Sequence, residues 1–196
     1  MVNQQTRDGG YIIAGWTLSE NDATNASLIK TDAAGAIAWK KTMGVSQEDF
    51  ANSVMQTKDS GYIIAGCMNN YFSVMKTDAA GTVEWTKAFG DTFQGEGNSA
   101  WQTANGGYVV AGNTRMESGL GYVCLTRIDS VEAPPSRSPW ESAWTRYFGG
   151  DSRYEVLSMQ PVSDGGYVIF AQREPNEVGD YIKKILIKTN ANGIVE

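Results

Sequence analysis

The side chains able to do chemistry in this 196-residue chain are carboxylates, aromatics and amides, because histidine is absent. That absence excludes Ser-His-Asp and Cys-His catalysis, and every metal site that needs imidazole. Carboxylates number 22 against 16 Lys and Arg, for a net charge of −6. Adjacent Glu48 and Asp49 are the residue types of glycoside hydrolysis, but that reaction needs a second carboxylate about 5–10 Å away across the substrate. No single carboxylate stands out for that role. Asp32, Asp78 and Asp129, with Asn190, are calcium-ligand types, yet they lack the D-x-D-x-D-G spacing of a calcium loop and read as turn caps. Cys67 and Cys124 are too few for a disulfide framework and read as buried free thiols, although a bond between them stays open. The Gly-Gly pairs precede tyrosine rather than opening a helix, so they are not phosphate loops. No catalytic residue, metal ligand or cofactor set is assigned.

Binding is a different matter. Trp16, Tyr71 and Tyr154 are able to stack on a sugar or a peptide side chain, and Asn69 and Asn70 to hydrogen-bond beside them. Trp101, Arg153 and Asp180 complete the candidate ligand-binding set. Proline-rich Val131–Trp140 holds three of the five prolines, and Pro134, Pro135 and Trp140 are candidates for a protein contact. The competing readings are core packing for Trp101, solvated loops for the charges and a plain spacer for the prolines.

These residues are set on a repeat. Asp8-Gly9-Gly10-Tyr11-Ile12-Ile13-Ala14-Gly15 returns at Asp59–Gly66, Asn105–Gly112 and Asp164–Ala171, with tyrosine spacings of 51, 46 and 59. A second motif, Leu28-Ile29-Lys30-Thr31-Asp32-Ala33-Ala34-Gly35, returns at Val74–Gly81 and Leu186–Gly193, and in part at Leu125–Asp129. A third carries Trp39, Trp85 and Trp144, and a fourth carries Gln5, Gln56, Gln102 and Gln160. Each unit thus has four short segments rich in β-formers, bounded by turns. Asp-Gly-Gly is expected to supply the positive-φ positions of a tight hairpin. No helical period is sustained. The expected fold is all-β: a β-propeller of four repeats of about 46 residues, four antiparallel strands per blade. The blades fall near 1–44, 45–90, 91–150 and 151–196 of one domain. A solenoid, the main competitor, favours shorter repeats. Unbroken runs such as Tyr-Ile-Ile-Ala fit blades covered on both faces. The recurring tryptophans then read as blade-to-blade packing rather than a sugar platform.

The pattern DGGYIIAG…KTDAAG…W-x-K…G resembles the repeat of large secreted or surface proteins of bacteria and archaea, generally regarded as β-propellers and often without a known ligand. The resemblance spans nearly the whole chain and departs at the insertion from Ser130 to Ser142. It implies a binding or scaffold role and an extracellular or cell-surface location, and it carries no catalytic residues.

In such a fold the Asp-Gly-Gly and Asp-Ala-Ala-Gly turns share one rim, and the variable connections share the other. The variable rim is acidic. It holds Glu20, Asp22, Glu48, Asp49, Asp91, Glu96, Glu117, Asp151, Glu155, Glu174, Glu177 and Asp180, with Arg115, Arg153 and Arg173 among them. Function is expected there. The leading reading is a non-enzymatic scaffold for an unknown protein or glycan. The alternatives are a carboxylate-based glycosidase or lyase in the channel, and a fragment or half of a larger propeller. On the last, the second repeat reads Gly81-Thr82-Val83-Glu84-Trp85, whereas the fourth reads Gly193-Ile194-Val195-Glu196, and a homodimer would complete an eight-bladed ring. A pI near 4.7 argues against nucleic acid. No apolar run approaches 18 residues, so no membrane insertion is expected. Met1–Gln5 has neither a basic nor an apolar region, so no signal peptide is read in this chain.

Overall fold

A computed structural model of the chain describes residues 2–19, 23–44, 48–89, 94–116, 118–130, 140–175 and 180–196, with backbone only at 130 and 140–142. These residues form fifteen strands and no helix, in four antiparallel sheets that follow one another along the chain. The first sheet is β1 (Val2–Gln5), β2 (Tyr11–Leu18), β3 (Thr24–Thr31) and β4 (Ile37–Met43). The second is β5 (Phe50–Gln56), β6 (Tyr62–Met68), β7 (Tyr71–Thr77) and β8 (Val83–Phe89). The third is β9 (Gln94–Gln102), β10 (Tyr108–Arg115), β11 (Gly121–Ser130) and β12 (Trp140–Ser152). The fourth is β13 (Tyr154–Pro161), β14 (Tyr167–Arg173) and β15 (Lys183–Thr189). Strands pair in chain order within every sheet, and the inserted hairpin prolongs β11 and β12 until Ser130 lies opposite Trp140.

The first hairpin of each sheet is held by the turn Asp8-Gly9-Gly10 or its counterpart Asp59-Ser60-Gly61, Asn105-Gly106-Gly107 or Asp164-Gly165-Gly166. In the first sheet, Gly9 N–H donates to Thr6 O at 2.9 Å and Thr6 N–H to Gly10 O at 2.8 Å. Asp8 Oδ1 accepts the Thr6 hydroxyl and the Gly10 N–H. The two glycines answer different needs, which corrects the expectation that both supply positive φ. Gly9, Gly106 and Gly165 do so, at 83°, 92° and 85°. The second glycine is required by crowding, since a Cβ on Gly10 or Gly61 would lie 2.1 Å from the carbonyl oxygen of Thr31 or Thr77.

Successive sheets pack face to face. Strand alternation points Ile12 and Ala14 at the second sheet, which answers with Tyr62 and Ile64. Ile63 and Ala65 then meet Tyr108 and Val110, and Val109 and Ala111 meet Tyr167 and Ile169. The central strands are therefore apolar on both sides, which explains their unbroken runs. The recurring tryptophans join the sheets: Trp39 on Tyr62, Trp85 on Tyr108 and Trp144 on Tyr167, with ring centroids 5.9, 5.9 and 6.4 Å apart. Glutamines add a polar latch. Gln56 Oε1 accepts Arg7 N–H at 2.9 Å, and Gln102 Oε1 accepts Lys58 N–H at 2.8 Å. The fourth glutamine was expected to be Gln160, but Gln160 pairs with Val168, and Pro161 stands opposite Tyr167. Trp101 Nε1–H, donating to Met159 O at 2.7 Å, bridges that junction instead.

Among the described residues the row of sheets does not close. Tyr11 on the first sheet is 40% exposed, whereas its equivalents Tyr62 and Tyr108 are each 1% exposed. Leu186 on the fourth sheet is 69% exposed, whereas Leu28, Val74 and Leu125 are buried.

Candidate functional site

The variable connections of the second, third and fourth sheets converge on one cleft of about 210 Å³. The second sheet contributes Glu48, Phe50, Cys67 and Asn70, the third Gln94–Glu96 and Asn113–Arg115, and the fourth Arg153 and Tyr154. Antiparallel pairing causes this convergence, since each first hairpin turns at the opposite rim and leaves the ends of β6 and β10 beside the starts of β5, β9 and β13.

The walls are polar and partly unsatisfied. Thr114 is 2% exposed, and neither its hydroxyl nor Asn113 Oδ1 has a hydrogen-bond partner among the described residues. Glu48 and Glu96 bring negative charge, and Arg115 and Arg153 bring positive charge. The cleft thus presents side chains of both signs, with two unpartnered polar atoms buried in its wall, and suits a polar ligand. Burial lifts the Cys67 thiol to about 11, with Glu96 adding to the shift, so it sits in the wall as a neutral group rather than a nucleophile. Cys67 and Cys124 are both buried and are not bonded to each other.

The candidates read from sequence are only partly brought together. Asn70, Arg153 and Tyr154 line the cleft. Asn69 and Asn70, at φ 53° and 67°, form the two-residue turn from β6 to β7, a position that selects asparagine for its backbone. Asp49 is buried and accepts the Asn69 N–H at 2.8 Å, so it holds this turn and does not pair chemically with Glu48. Tyr71 is half-buried at the start of β7. Tyr154 does not offer a stacking face as expected: it is buried against the fourth-sheet core, and its hydroxyl donates to Asp151. That bond, with Arg173 nearby, holds the Asp151 carboxyl below its ordinary range. Asp180 pairs with Lys183 at 2.9 Å and Arg173 at 3.4 Å and is lowered chiefly by Lys183. Trp101 packs at the junction of the third and fourth sheets. Trp16 is half-exposed on the first sheet and does not line the cleft. Pro134, Pro135, Glu20, Asp22, Asp91, Glu117 and Glu177 lie outside the described residues, as does the side chain of Trp140.

Asn113 and Thr114 were not singled out from sequence, though a signal existed. Asn113 occupies the position held by Trp16, Cys67 and Gln172 in the other repeats, so the scaffold does not require its type. The turn-cap reading of the Asp-Ala-Ala-Gly motif is observed directly: Asp32 Oδ1 accepts the Ala34 and Ala36 amides, Asp78 Oδ1 those of Ala80 and Thr82, and Asn190 Oδ1 those of Asn192 and Ile194. Asp129 differs and pairs with Arg127 at 3.0 Å.

No family model matches the chain, and no curated protein matches it. Among solved structures it is similar to a protein of unknown function from Bacteroides caccae, at 11% identity and a TM-score of 0.37, over 92% of this chain and 78% of that one.

Proposed function

We propose that the four sheets are blades of a β-propeller and that the chain is a non-enzymatic binding scaffold, taking a glycan or a polar protein segment in the cleft on its variable rim. The observation that carries this reading is a single cleft lined by non-recurring side chains of both charges drawn from three sheets. Unpartnered buried polar atoms cost stability, and Asn113 and Thr114 carry two of them in the cleft wall. Four sheets of one repeat, each stacked on the next, support the blade assignment. The resemblance of the repeats to secreted and surface proteins supports a ligand met outside the cell.

The test is a glycan array and a panel of polar peptides, followed by calorimetry of any hit with the wild type, Arg153→Ala and Asn113→Ala. Binding that falls at least about tenfold in both variants supports the cleft, a loss of about 1.4 kcal/mol. Binding indifferent to both variants defeats it. Turnover of a bound glycan that disappears in Glu48→Gln or Glu96→Gln would establish a carboxylate hydrolase in its place.

A further inference from the structure

The two outer sheet faces repeat most of the inner positions with no other described sheet against them, Lys184 over Phe170 being a departure where the inner faces carry Ala26, Phe72 and Val123. On the first sheet Tyr11 and Ile13 occupy the positions of Tyr62 and Ile64, which receive the preceding sheet. The tryptophan seat is vacant there as well. A Cβ on Gly81 would lie 2.9 Å from Trp39, and one on Gly193 2.6 Å from Trp144, but one on Gly35 would meet nothing within 4 Å. Gln5 repeats the donation of Gln56 and Gln102 to its own turn, to Gly9 O at 3.3 Å. Its Oε1 has no described donor, where those of Gln56 and Gln102 accept Arg7 and Lys58 amides.

The fourth sheet shows the converse face. Leu186, Phe170 and Val168 occupy the positions of Leu28, Ala14 and Ile12, all three of which are buried beneath the next sheet. The repeated lysine reports the same loss of cover. Lys30 and Lys76 side chains are 7% and 2% exposed, whereas Lys188, paired with Asp164 in the same way, is 33% exposed. Shape also corresponds. The first sheet has a concavity of about 120 Å³ beside Ile13, Gly15, Ser27 and Ile29. The fourth sheet projects Phe170 where the inner sheets carry Ala14, Ala65 and Ala111.

We infer that the fourth-sheet face of one chain docks on the first-sheet face of a second copy, and that two copies close head to tail through two such contacts. Three interfaces of the same series inside the chain provide the template, and the Ser163 N–H, equivalent to those of Arg7 and Lys58, would meet Gln5 Oε1 of the other copy. A head-to-tail contact that closes after two copies leaves no free face. This inference rests on the blade reading of the sheets but not on the ligand cleft.

Sedimentation velocity and light scattering of the purified chain over a wide concentration range test it. The expected species is a dimer of the 21.3 kDa chain. Leu186→Asp and Tyr11→Asp should each raise its dissociation constant by at least about tenfold, with unchanged far-UV circular dichroism. Mixing the two variants should restore dimer, because one of the two contacts is then wild type on both sides. Should either aspartate variant lose its fold, Leu186→Ser and Gln5→Ala apply the same test at positions already exposed. A monomer at all concentrations, an open ladder of oligomers, or a dimer untouched by Leu186 substitutions would overturn the inference. A dimer with no ligand would sustain it while leaving the cleft reading to fail on its own.

Discussion

At the rim of Asp-Gly-Gly turns the same ion pair is made in three of the four sheets. Lys30 meets Asp8 at 2.8 Å, Lys76 meets Asp59 at 2.9 Å, and Lys188 meets Asp164 at 2.7 Å. Lys30 and Lys76 also donate to the carbonyls of Thr31 and Thr77, joining the first hairpin to the third strand. At the opposite rim no such bond recurs. One turn is a pair of asparagines, another rim segment holds Tyr154 to Asp151, and polar atoms at Asn113 and Thr114 have no described partner. The repeating rim satisfies its turn and lysine groups by the same bonds from sheet to sheet, with the buried Thr189 hydroxyl an exception. The variable rim keeps polar groups in reserve. Substitutions that break the recurring bonds of the first should therefore cost stability, and removal of the unpartnered groups at Asn113 and Thr114 should leave it alone or raise it.

The largest effect is expected at Gly61. A Cβ there would sit 2.1 Å from Thr77 O and 2.5 Å from Lys76 Nζ, so Gly61→Ala should destabilise by about 3 kcal/mol. Gly106→Ala, a left-handed position with open space around it, should cost only about 1–2 kcal/mol. Denaturant melts of both variants check the contrast. Equal losses would show that the crowding at the second glycine is relieved by small shifts of Thr77 O and Lys76.

Lys76→Met should follow, at about 2 kcal/mol. Lys76 is fully buried, and its loss removes the ammonium donor from Thr77 O; Asp59 and Glu84 are half in solvent, which reduces the penalty. The pairs also predict a pH dependence. Lys30 foremost holds the Asp8 carboxyl well below the usual range, and Lys188 does the same at Asp164. At Asp59 burial pushes upward but is outweighed by Thr57, Lys76 and the Gly61 amide. Folded-state values below the unfolded value near 3.9 mean that these pairs stabilise the fold above that pH. The contribution is lost as pH falls through the folded values. Calorimetric Tm should hold steady down to about pH 4 and then drop, and the drop should shrink in a triple Asp8→Asn, Asp59→Asn, Asp164→Asn variant. The third sheet already carries Asn105 at this place, so it is the internal control.

That third sheet shows what was legible in the sequence and what was not. The tyrosine and tryptophan periods announced the sheets and their packing, because a large ring at one repeated position has one structural use. The Lys–Asp pair was missed, since Asp8 and Lys30 are separated by a whole hairpin and each looked sufficient as a local turn or strand residue. The two positions change together, to Asn105 and Arg127, and the structure explains why: Arg127 takes Asp129 instead. Gln160 was misassigned because adjacent Pro161 breaks the expected type at the register position. Residues of the variable rim were identifiable, but their convergence was not. The cleft joins segments from three sheets, and its membership depends on how those sheets stack rather than on any local spacing. Tyr154 was misread for the same reason, its ring being covered by Gly149, where a Cβ would lie 2.4 Å from it.

A milder effect of opposite sign is expected at Ser60, the one Asp-Gly-Gly position where a residue other than glycine holds positive φ, at 70°. Ser60→Gly should stabilise by about 1 kcal/mol in a denaturant melt. No gain would mean that the serine bonds locally well enough to offset its backbone strain.

Smallest in magnitude is the prediction that separates the two rims. Thr114→Val keeps the shape of a buried side chain and removes a hydroxyl with no described partner. It should leave stability unchanged or raise it by up to about 1 kcal/mol, whereas the same change at a satisfied buried threonine, Thr126, which bonds to Thr145 at 3.0 Å, should lower it. A polar atom that can be deleted without loss from the unliganded protein, but whose deletion weakens a bound ligand, belongs to recognition rather than to folding. If Thr114→Val and Thr126→Val prove equally destabilising, the hydroxyl at 114 is part of the scaffold, and the distinction between a satisfied rim and a reserved one does not hold.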